Sequence, residues 1–267
     1  MLSTIILFVL IFTVVVCLFL TIQYSLFLPP VKGLPVLMYH KVSEDTNDPL
    51  TISIRNLEKH FAYLSENAYT CLDLNQVIDS KAVKIPSHSF VLTFDDAYLN
   101  NLEYLYPMLQ KYGFHATIML PVGFLGKFNG WDQGSDPIMS YEQLRSIDSR
   151  FVSFGLHTYG HISLKNSSFA AVTADLDKCK QELTSHGIHF LPVLAYPYGA
   201  YPKESVQKQA LFNLLEKSGI RYGFRIGNKI NKWPIKNRYE VKRIDIRGDD
   251  SFWTFKTKLK KGRVKMF

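Results

Sequence analysis

Short apolar segments alternate with helical patterns along most of this chain, and few folds can accommodate that order. Segments rich in Val, Ile and aromatic residues alternate with regions of helical spacing; in chain order they are LPVLMYH, CLDL, SFVLTFDD, ATIMLPV, VSFGLHT and VLAYPYG, and YGFRI and KRIDI finish the series. Such alternation predicts a parallel sheet with helices outside it. About seven strand-helix units fit residues 34–250, enough to close a barrel, although spacing alone also allows an open doubly wound sheet.

Several helix ends are marked by residues with known capping preferences. We expect helices around residues 56–66, 102–112, 169–185 and 204–217, and a shorter one in SYEQLRSI. Gly113, Gly187 and Gly219 are placed to end three of them, and Ser140 with Gln143 forms the pattern of a capping box.

The first 28 residues are almost all hydrophobic, and a segment of this length can span a bilayer. The segment has no early Lys or Arg and ends in Phe-Leu-Pro-Pro, unlike a cleaved signal peptide. We therefore predict one transmembrane helix over residues 1–28 and a linker over 29–33. Lys32 and Lys41 follow the segment and no basic residue precedes it, which by charge alone favours a cytoplasmic domain.

The formal charge of +8 is concentrated at the carboxyl end of the chain. The last stretch, residues 251–267, interleaves Phe252, Trp253 and Phe255 with lysines. This pattern predicts a basic tail that lies on anionic lipid headgroups, or else a solvated tail. No zinc-finger, helix-turn-helix or RNA-recognition signature accompanies it, so nucleic acid is not an expected partner.

Two adjacent carboxylates, Asp95 and Asp96, directly follow the apolar segment SFVLTF. Reactive residues in parallel α/β folds gather at the carboxyl ends of strands. Burial and mutual repulsion disfavour two ionised carboxylates here unless they share a proton or a cation is bound. The alternative is that one of them caps the next turn. The chain has three cysteines and no CxxC pair, so a metal here would need histidine and carboxylate ligands.

His157 and His161 follow another apolar segment, in the sequence HTYGH. Histidines four residues apart share one face if the backbone there is helical, and could converge on one ion. An isolated HxxxH is also common in cores and on surfaces. Together with the Asp pair it supplies two imidazoles and a carboxylate, and leaves a position open for water, as in catalytic zinc sites. Such a ligand set suits one divalent ion: zinc, with cobalt or nickel as alternatives.

Two further features follow apolar segments. His40 ends LPVLMYH and is either near the same pocket or a structural imidazole. In AYPYG, Pro197 fixes one φ angle and Gly199 permits a tight turn, which could aim a backbone N–H at a developing oxyanion. As a bare motif, AYPYG is an ordinary turn.

The ordered set TFDD, HTYGH and AYPYG resembles the polysaccharide deacetylases, also called the NodB-homology domain or carbohydrate esterase family 4. The resemblance covers about residues 34–246, and its details are most similar to the branch that deacetylates biofilm poly-N-acetylglucosamine. It implies a distorted (β/α) barrel that holds one divalent ion through Asp96, His157 and His161. It further implies Asp95 as the general base and the amide N–H of Tyr198 as an oxyanion donor.

The implied activity is hydrolysis of a carbon–nitrogen bond that is not a peptide bond: removal of acetyl groups from an N-acetylglucosamine polymer or oligosaccharide. Two alternatives stay open, a deacylase of a lipid-linked amino sugar and a non-catalytic glycan-binding protein on the same fold. Because the substrate implied by the family is extracytoplasmic, we expect a single-pass cell-membrane protein with its domain outside, contrary to the indication of Lys32 and Lys41.

The chain departs from the family pattern in two places. Many members begin the third motif with an Arg that steadies the base, whereas this chain has Leu194 and Ala195 there. Many also supply a late histidine as general acid, but no histidine follows His189. The proton donor to the leaving amine is therefore open, with His40 and protonated Asp95 as the candidates.

Overall fold

The computed structural model describes residues 2–23, 29–44, 48–79 and 84–264, and in its first helix the side chains of residues 5–19. Its helices are α1 (Leu2–Gln23), α2 (Ile54–Glu66), α3 (Leu74–Asp79), α4 (Tyr106–Tyr112), α5 (Tyr141–Ser146), α6 (Phe169–Ser185), α7 (Ser205–Lys217) and α8 (Phe252–Lys261). Its strands are β1 (Val36–Tyr39), β2 (Lys41–Ser43), β3 (Thr51–Ser53), β4 (Thr70–Cys71), β5 (Ser89–Asp95), β6 (Ala116–Leu120), β7 (Val152–Leu156), β8 (Val193–Ala195), β9 (Tyr222–Ile226) and β10 (Val241–Asp245).

Seven parallel strands close into a barrel. β5 to β10 pair in sequence order, and β1 pairs with both β5 and β10, which completes the ring. The closure confirms the predicted (β/α) barrel and excludes the open sheet. The ring is irregular, since β7 and β8 share a single register pair, Leu156 with Leu194. β4 extends β5 outside the ring, and β2 pairs with β3 in a separate two-stranded sheet.

Strand alternation divides the apolar residues between the inside of the barrel and the layer under the helices. Successive side chains on a strand point to opposite faces. One buried cluster includes Val36, Val91, Met119, Val193 and Phe224, and the other includes Leu37, Leu92, Ile118, Leu194 and Ile244. Towards the carboxyl ends of the strands the inward positions become polar, with Thr93, Asp95, His157 and Arg243 all buried.

The predicted caps are confirmed. Ser140 accepts from the backbone N–H of Gln143, whose side chain in turn accepts from the backbone N–H of Ser140. Gly113, Gly187 and Gly219 have φ values of 62°, 67° and 78°, the left-handed conformation that ends a helix.

Two elements differ from the expectation. Only the first residue of CLDL lies in a strand, β4 (Thr70–Cys71), and its last residue, Leu74, already begins α3. The helical turn is favoured because Asp73 accepts a hydrogen bond from the backbone N–H of Asn75. The helix expected over residues 102–112 starts as a π-helical segment, Asn101–Leu105, and becomes an α-helix at Tyr106.

α1 occupies most of the predicted transmembrane segment. Within the described residues, no helix has the combined length and apolarity needed to cross a membrane, so the structure does not support the predicted span. Residues 24–28 of that segment lie outside the described residues.

α8 lies in the segment expected to be a basic tail, and it packs against the barrel domain. Phe255 and Leu259 are buried in the main core. His60 of α2 stacks on Phe255 with ring centroids 3.7 Å apart, and its Nδ1 lies 3.2 Å from the Tyr39 hydroxyl. The packed domain therefore continues past the expected boundary at residue 250 and includes α8.

Candidate active site

A cavity of about 190 Å³ opens at the carboxyl ends of the barrel strands. It contains all the residues that the sequence proposed for chemistry. The lining residues used below are His40, Asp95, Asp96, Trp131, Asp132, His157, His161, Tyr198, Arg243 and Asp245.

Asp96, His157 and His161 converge on one point of this cavity. Asp96 Oδ1 lies 3.4 Å from His157 Nε2 and 3.3 Å from His161 Nε2. All three residues are buried, and one ligand atom from each lies within 4.8 Å of the others. Asp96 Oδ1 is a buried oxygen without a hydrogen-bond partner among the described residues. A buried acceptor facing two imidazole nitrogens fits a divalent cation.

The outward nitrogens of both histidines have partners that orient the rings. His157 Nδ1 lies 2.9 Å from the carbonyl oxygen of Ala195, which can only accept, so Nδ1 carries the proton. His161 Nδ1 lies 3.1 Å from the Tyr198 hydroxyl, and the ring stacks on Trp131. Both Nε2 atoms therefore face the cavity and could bind a metal ion, an arrangement typical of metal-binding histidines.

The HTYGH segment is a loop, so the helical face considered for the two histidines is wrong. Thr158 and His161 have φ values of 65° and 51°, and these left-handed residues turn the loop back on itself. Asp175 of α6 holds the loop, accepting from the backbone N–H groups of Tyr159 at 2.6 Å and Gly160 at 2.9 Å. The histidines thus converge through a braced turn.

Burial and neighbouring groups set the protonation states of His157 and Asp96. Burial is the largest influence on His157 and lowers its pKa to about 4, so the imidazole is neutral at pH 7 and able to bind metal. Burial acts to raise the pKa of Asp96, but the adjacent imidazoles of His161 and His157 outweigh it and lower that pKa. His157 and Asp96 are thus in the form that a cation requires.

Asp95 is held by a different partner, Arg243 on β10. Arg243 Nη1 donates to Asp95 Oδ1 at 2.5 Å and Nη2 donates to Oδ2 at 2.7 Å, and both residues are buried. Burial acts to raise the pKa of Asp95, yet the Arg243 charge holds that pKa well below its usual range. Asp95 is therefore ionised and fixed in direction.

The sequence alone did not identify Arg243 as the partner of Asp95. Many family members have an arginine at the start of the third motif, where this chain has Leu194 and Ala195. A signal did exist. In the segment KRIDI, strand alternation with apolar Val241 inside the barrel places Arg243 on the same inward face.

His40 lies in the cavity beside Asp95; the sequence alone had left open whether it lies near this pocket. Its Nε2 is 3.9 Å from Asp95 Oδ2, and its Nδ1 is buried without a hydrogen-bond partner among the described residues. The imidazole thus faces the same cavity as Asp95 while belonging to no ligand set.

Tyr198 lies at the mouth of the cavity in the turn formed by AYPYG. Its φ is 59° and that of Gly199 is 62°. Its side chain is 59% exposed even though the hydroxyl contacts His161. The expected oxyanion role of its N–H stays a prediction.

Sequence reasoning did not identify three further lining residues, Trp131, Asp132 and Asp245.

The sequence pattern of the polysaccharide deacetylase family matches residues 82–222. This match covers more than half of the chain and includes both Asp95–Asp96 and the HTYGH loop. The chain therefore belongs to the polysaccharide deacetylase family.

Individual relatives agree with this assignment. The chain is 28% identical over 192 residues to YxkH of Bacillus subtilis, named as a polysaccharide deacetylase, covering 71% of this chain and 63% of YxkH. It is 28% identical over 211 residues to the poly-β-1,6-N-acetyl-D-glucosamine N-deacetylase of Staphylococcus aureus, covering 76% of this chain and 69% of that enzyme. The fold is similar to that of IcaB from Ammonifex degensii, with a TM-score of 0.72 at 20% identity, covering 86% of this chain and 97% of that one.

Proposed function

We propose that this protein is a metal-dependent hydrolase that removes acetyl groups from an N-acetylglucosamine-containing polysaccharide. One observation carries the proposal: two adjacent carboxylates face one cavity in different roles. Asp96 lies with two histidine nitrogens, whereas Asp95 is held by Arg243 and stays outside that ligand set. A protein that only bound glycans would have no need for the second carboxylate. The substrate named for the Staphylococcus aureus relative supports the polymer class.

The ligand set would hold one divalent ion, for which zinc is our first choice and cobalt or nickel are alternatives. When bound, such an ion polarises the acetamide carbonyl and acidifies water. Asp96, His157 and His161 position it, and their nitrogen and oxygen ligands do not select strongly among these metals.

Different residues around the ligand set accept and donate the protons of the reaction. Asp95, kept ionised by Arg243, accepts a proton from the attacking water as its oxygen adds to the acetamide carbon. The N–H of Tyr198 stabilises the charge that develops on the carbonyl oxygen. His40 donates a proton to the nitrogen as the carbon–nitrogen bond breaks, which leaves acetate and a free amine. His40 Nε2 is 3.9 Å from Asp95 Oδ2, so donor and acceptor border the same reacting group.

Acetate release by the purified full chain tests this function. Poly-N-acetylglucosamine fragments and chitooligosaccharides are the substrates, with and without a chelator. We expect acetate release that the chelator abolishes and added divalent metal restores. Tight oligosaccharide binding without acetate release, at any metal concentration, would favour the non-catalytic alternative.

We further propose that the protein acts at the cell membrane, with its catalytic domain outside the cytoplasm. α1 exposes its apolar side chains, and Phe8 and Phe12 are each 70% exposed. The backbone N–H of Val31 donates to the carbonyl of Lys260, so the segment that follows α1 meets the basic end of α8. Lys260 and Arg263 are exposed there and suit anionic headgroups.

Vesicle binding tests this membrane association. We expect the protein to bind neutral vesicles through α1, and to bind vesicles containing phosphatidylserine more tightly at low salt. Lys260→Glu combined with Arg263→Glu should remove the difference between the two vesicle types. Equal binding by wild type and variant would leave α8 without a membrane role.

A further inference from the structure

Asp245 is the one carboxylate at the end of β10 that faces the catalytic cavity. It lies two residues after Arg243 on the same strand face, about 6–7 Å further toward the cavity mouth. Its register partner on β1 is Met38, which also lines the cavity. The mechanism proposed above assigns no role to this side chain.

The backbone of Asp245 is held from two directions. Its N–H donates to Asn228 Oδ1 at 2.9 Å, and its carbonyl accepts from Lys258 Nζ at 2.8 Å. Lys258 is in turn paired with Asp250. The strand end therefore has little freedom to move the side chain out of the cavity.

The carboxylate itself, by contrast, has no hydrogen bond or ion pair within the part of the chain that the structure describes. The two arginines that flank it in sequence have other partners, since Arg243 binds Asp95 and Arg247 binds Asp249. An ionised carboxylate is an acceptor that gains most from charge-assisted hydrogen bonds. Its geometry leaves those bonds to a molecule in the cavity.

The lining of the same cavity also carries aromatic rings. Trp131 stacks on His161, and Tyr198 packs edge-on against the same imidazole. A cavity lined by both aromatic rings and a fixed acceptor is suited to a sugar ring, which has apolar C–H faces and a rim of hydroxyl donors. The cavity volume of about 190 Å³ suits a single sugar unit.

We propose that Asp245 accepts hydrogen bonds from ring hydroxyls of the sugar unit that carries the acetamide, and so selects neutral hexosamines with those hydroxyls free. The inference rests on the proposed function and adds a specificity residue to it. A ring whose hydroxyl carries a carboxyalkyl ether would bring a second negative charge against Asp245 and bind poorly.

The kinetic test compares Asp245→Ala and Asp245→Asn with Asp249→Ala in the full chain. Asp249 is a matched control because it lies in the same segment but is exposed, paired with Arg247 and outside the cavity. With an N-acetylglucosamine oligomer, we expect Asp245→Ala to raise KM about 10- to 100-fold with kcat within about 3-fold of wild type. Asp245→Asn should be intermediate because its amide oxygen still accepts, and Asp249→Ala should match wild type.

A loss in kcat at unchanged KM would overturn the inference, because Asp245 would then act on the chemical step and not on substrate binding. Oligomer affinity measured by calorimetry in the Asp95→Asn background keeps the two proposals separate. If wild type released no acetate but Asp245→Ala still weakened binding about 10-fold or more, the proposed function would fail and the role of Asp245 would stand. If wild type were active and Asp245→Ala bound equally well, only the role of Asp245 would fail.

Discussion

Asp95 and Asp96 have the same side chain but lie in different surroundings. Asp95 is the last residue of β5 and points into the barrel, where Arg243 meets it. Asp96 has a φ of 73°, and this left-handed turn carries its carboxylate toward His157 and His161. A non-glycine residue with such a φ is strained, and strain of this kind tends to occur at functional sites.

Substitution of the two carboxylates should therefore give different defects. Asp95→Asn should keep the bound ion and lose about 10²- to 10⁴-fold in turnover, because the amide cannot accept the proton. Asp96→Asn should lose metal affinity, with activity partly restored at high metal concentration. Elemental analysis beside acetate release checks both. If Asp95→Asn emptied the site while Asp96→Asn left it filled, the two roles would be exchanged.

Arg243 is the residue whose substitution should reveal how the base is positioned. Arg243→Lys keeps the positive charge but loses the two-pronged contact with Asp95. We expect turnover to fall about 10²-fold while the ion is retained, because a small misplacement of a catalytic group is costly. Thermal melting and metal content serve as controls for folding and for the ligand set. Full activity in Arg243→Lys would mean that charge alone keeps Asp95 in place.

At this scale the sequence was more informative about the proposed metal ligands than about the residues that support them. The ligands lie in compact motifs within single loops, so spacing and resemblance located them. Arg243 is 148 residues from Asp95 in the chain and meets it only because β10 and β5 both neighbour β1 in the closed ring. No local pattern could show that pairing.

At the scale of elements, α6 is an example of a helix that shapes the site from outside. Asp175 binds two successive N–H groups of the HTYGH loop, between the two histidines. Asp175→Ala should lower metal affinity about 10-fold or more, because supports of this kind orient the ligands. Asp177→Ala is the control, since its carboxylate is exposed and pairs with Lys180 on the same helix. Metal titration of both variants measures the effect, and equal affinities would show that the loop holds its shape unaided.

The contact between α2 and α8 should make stability depend on pH. Burial is the main cause that lowers the pKa of His60 to about 3 in the folded protein, whereas an unfolded histidine has a pKa of about 6.5. Between these values the unfolded state binds the extra proton, so stability falls as the pH falls. Protonation of His60 in the unfolded state should lower the free energy of unfolding by about 2 kcal/mol between pH 7 and pH 5.

Urea unfolding at the two pH values measures this effect. His60→Gln should lack that part of the pH dependence, because glutamine stays neutral and can still bond to the Tyr39 hydroxyl. The exposed His189, changed to Gln, provides the control and should keep the wild-type slope. An unchanged slope in His60→Gln would show that the folded protein already accommodates the charged imidazole.

Helix positions were predictable where the local sequence decides them. α6 coincides with the expected residues 169–185, between a Ser168 cap and a glycine after its end. α8 is different, because its lysines suggested a tail while its burial depends on contacts of Phe255 and Leu259 with distant parts of the chain. The composition of this segment predicted the basic, exposed face of α8, but it could not predict which residues are buried against the barrel domain.

At the scale of the whole molecule, parallel closure explains why the chemistry lies at one end. All seven strands run in the same direction, so their carboxyl ends form one rim. The proposed metal ligands, the proposed base Asp95, Arg243 and His40 come from four different strands, β1, β5, β7 and β10, or from the loops just after them. The alternation of strands and helices predicted this rim, but the pairing of β1 with both β5 and β10 had to be observed.

The packing of α8 against the barrel domain predicts where the chain can be shortened at its carboxyl end. Truncation after Asp250 removes Phe255 and Leu259 from the core, and each such loss costs about 2–5 kcal/mol, together comparable to the whole stability of a typical domain. Truncation after Arg263 leaves α8 and its contacts intact. We expect the shorter protein to unfold or aggregate and the longer one to melt within a few degrees of wild type, as followed by circular dichroism. If truncation after Asp250 left both the melting temperature and acetate release unchanged, α8 would be an accessory to the barrel and not part of its core.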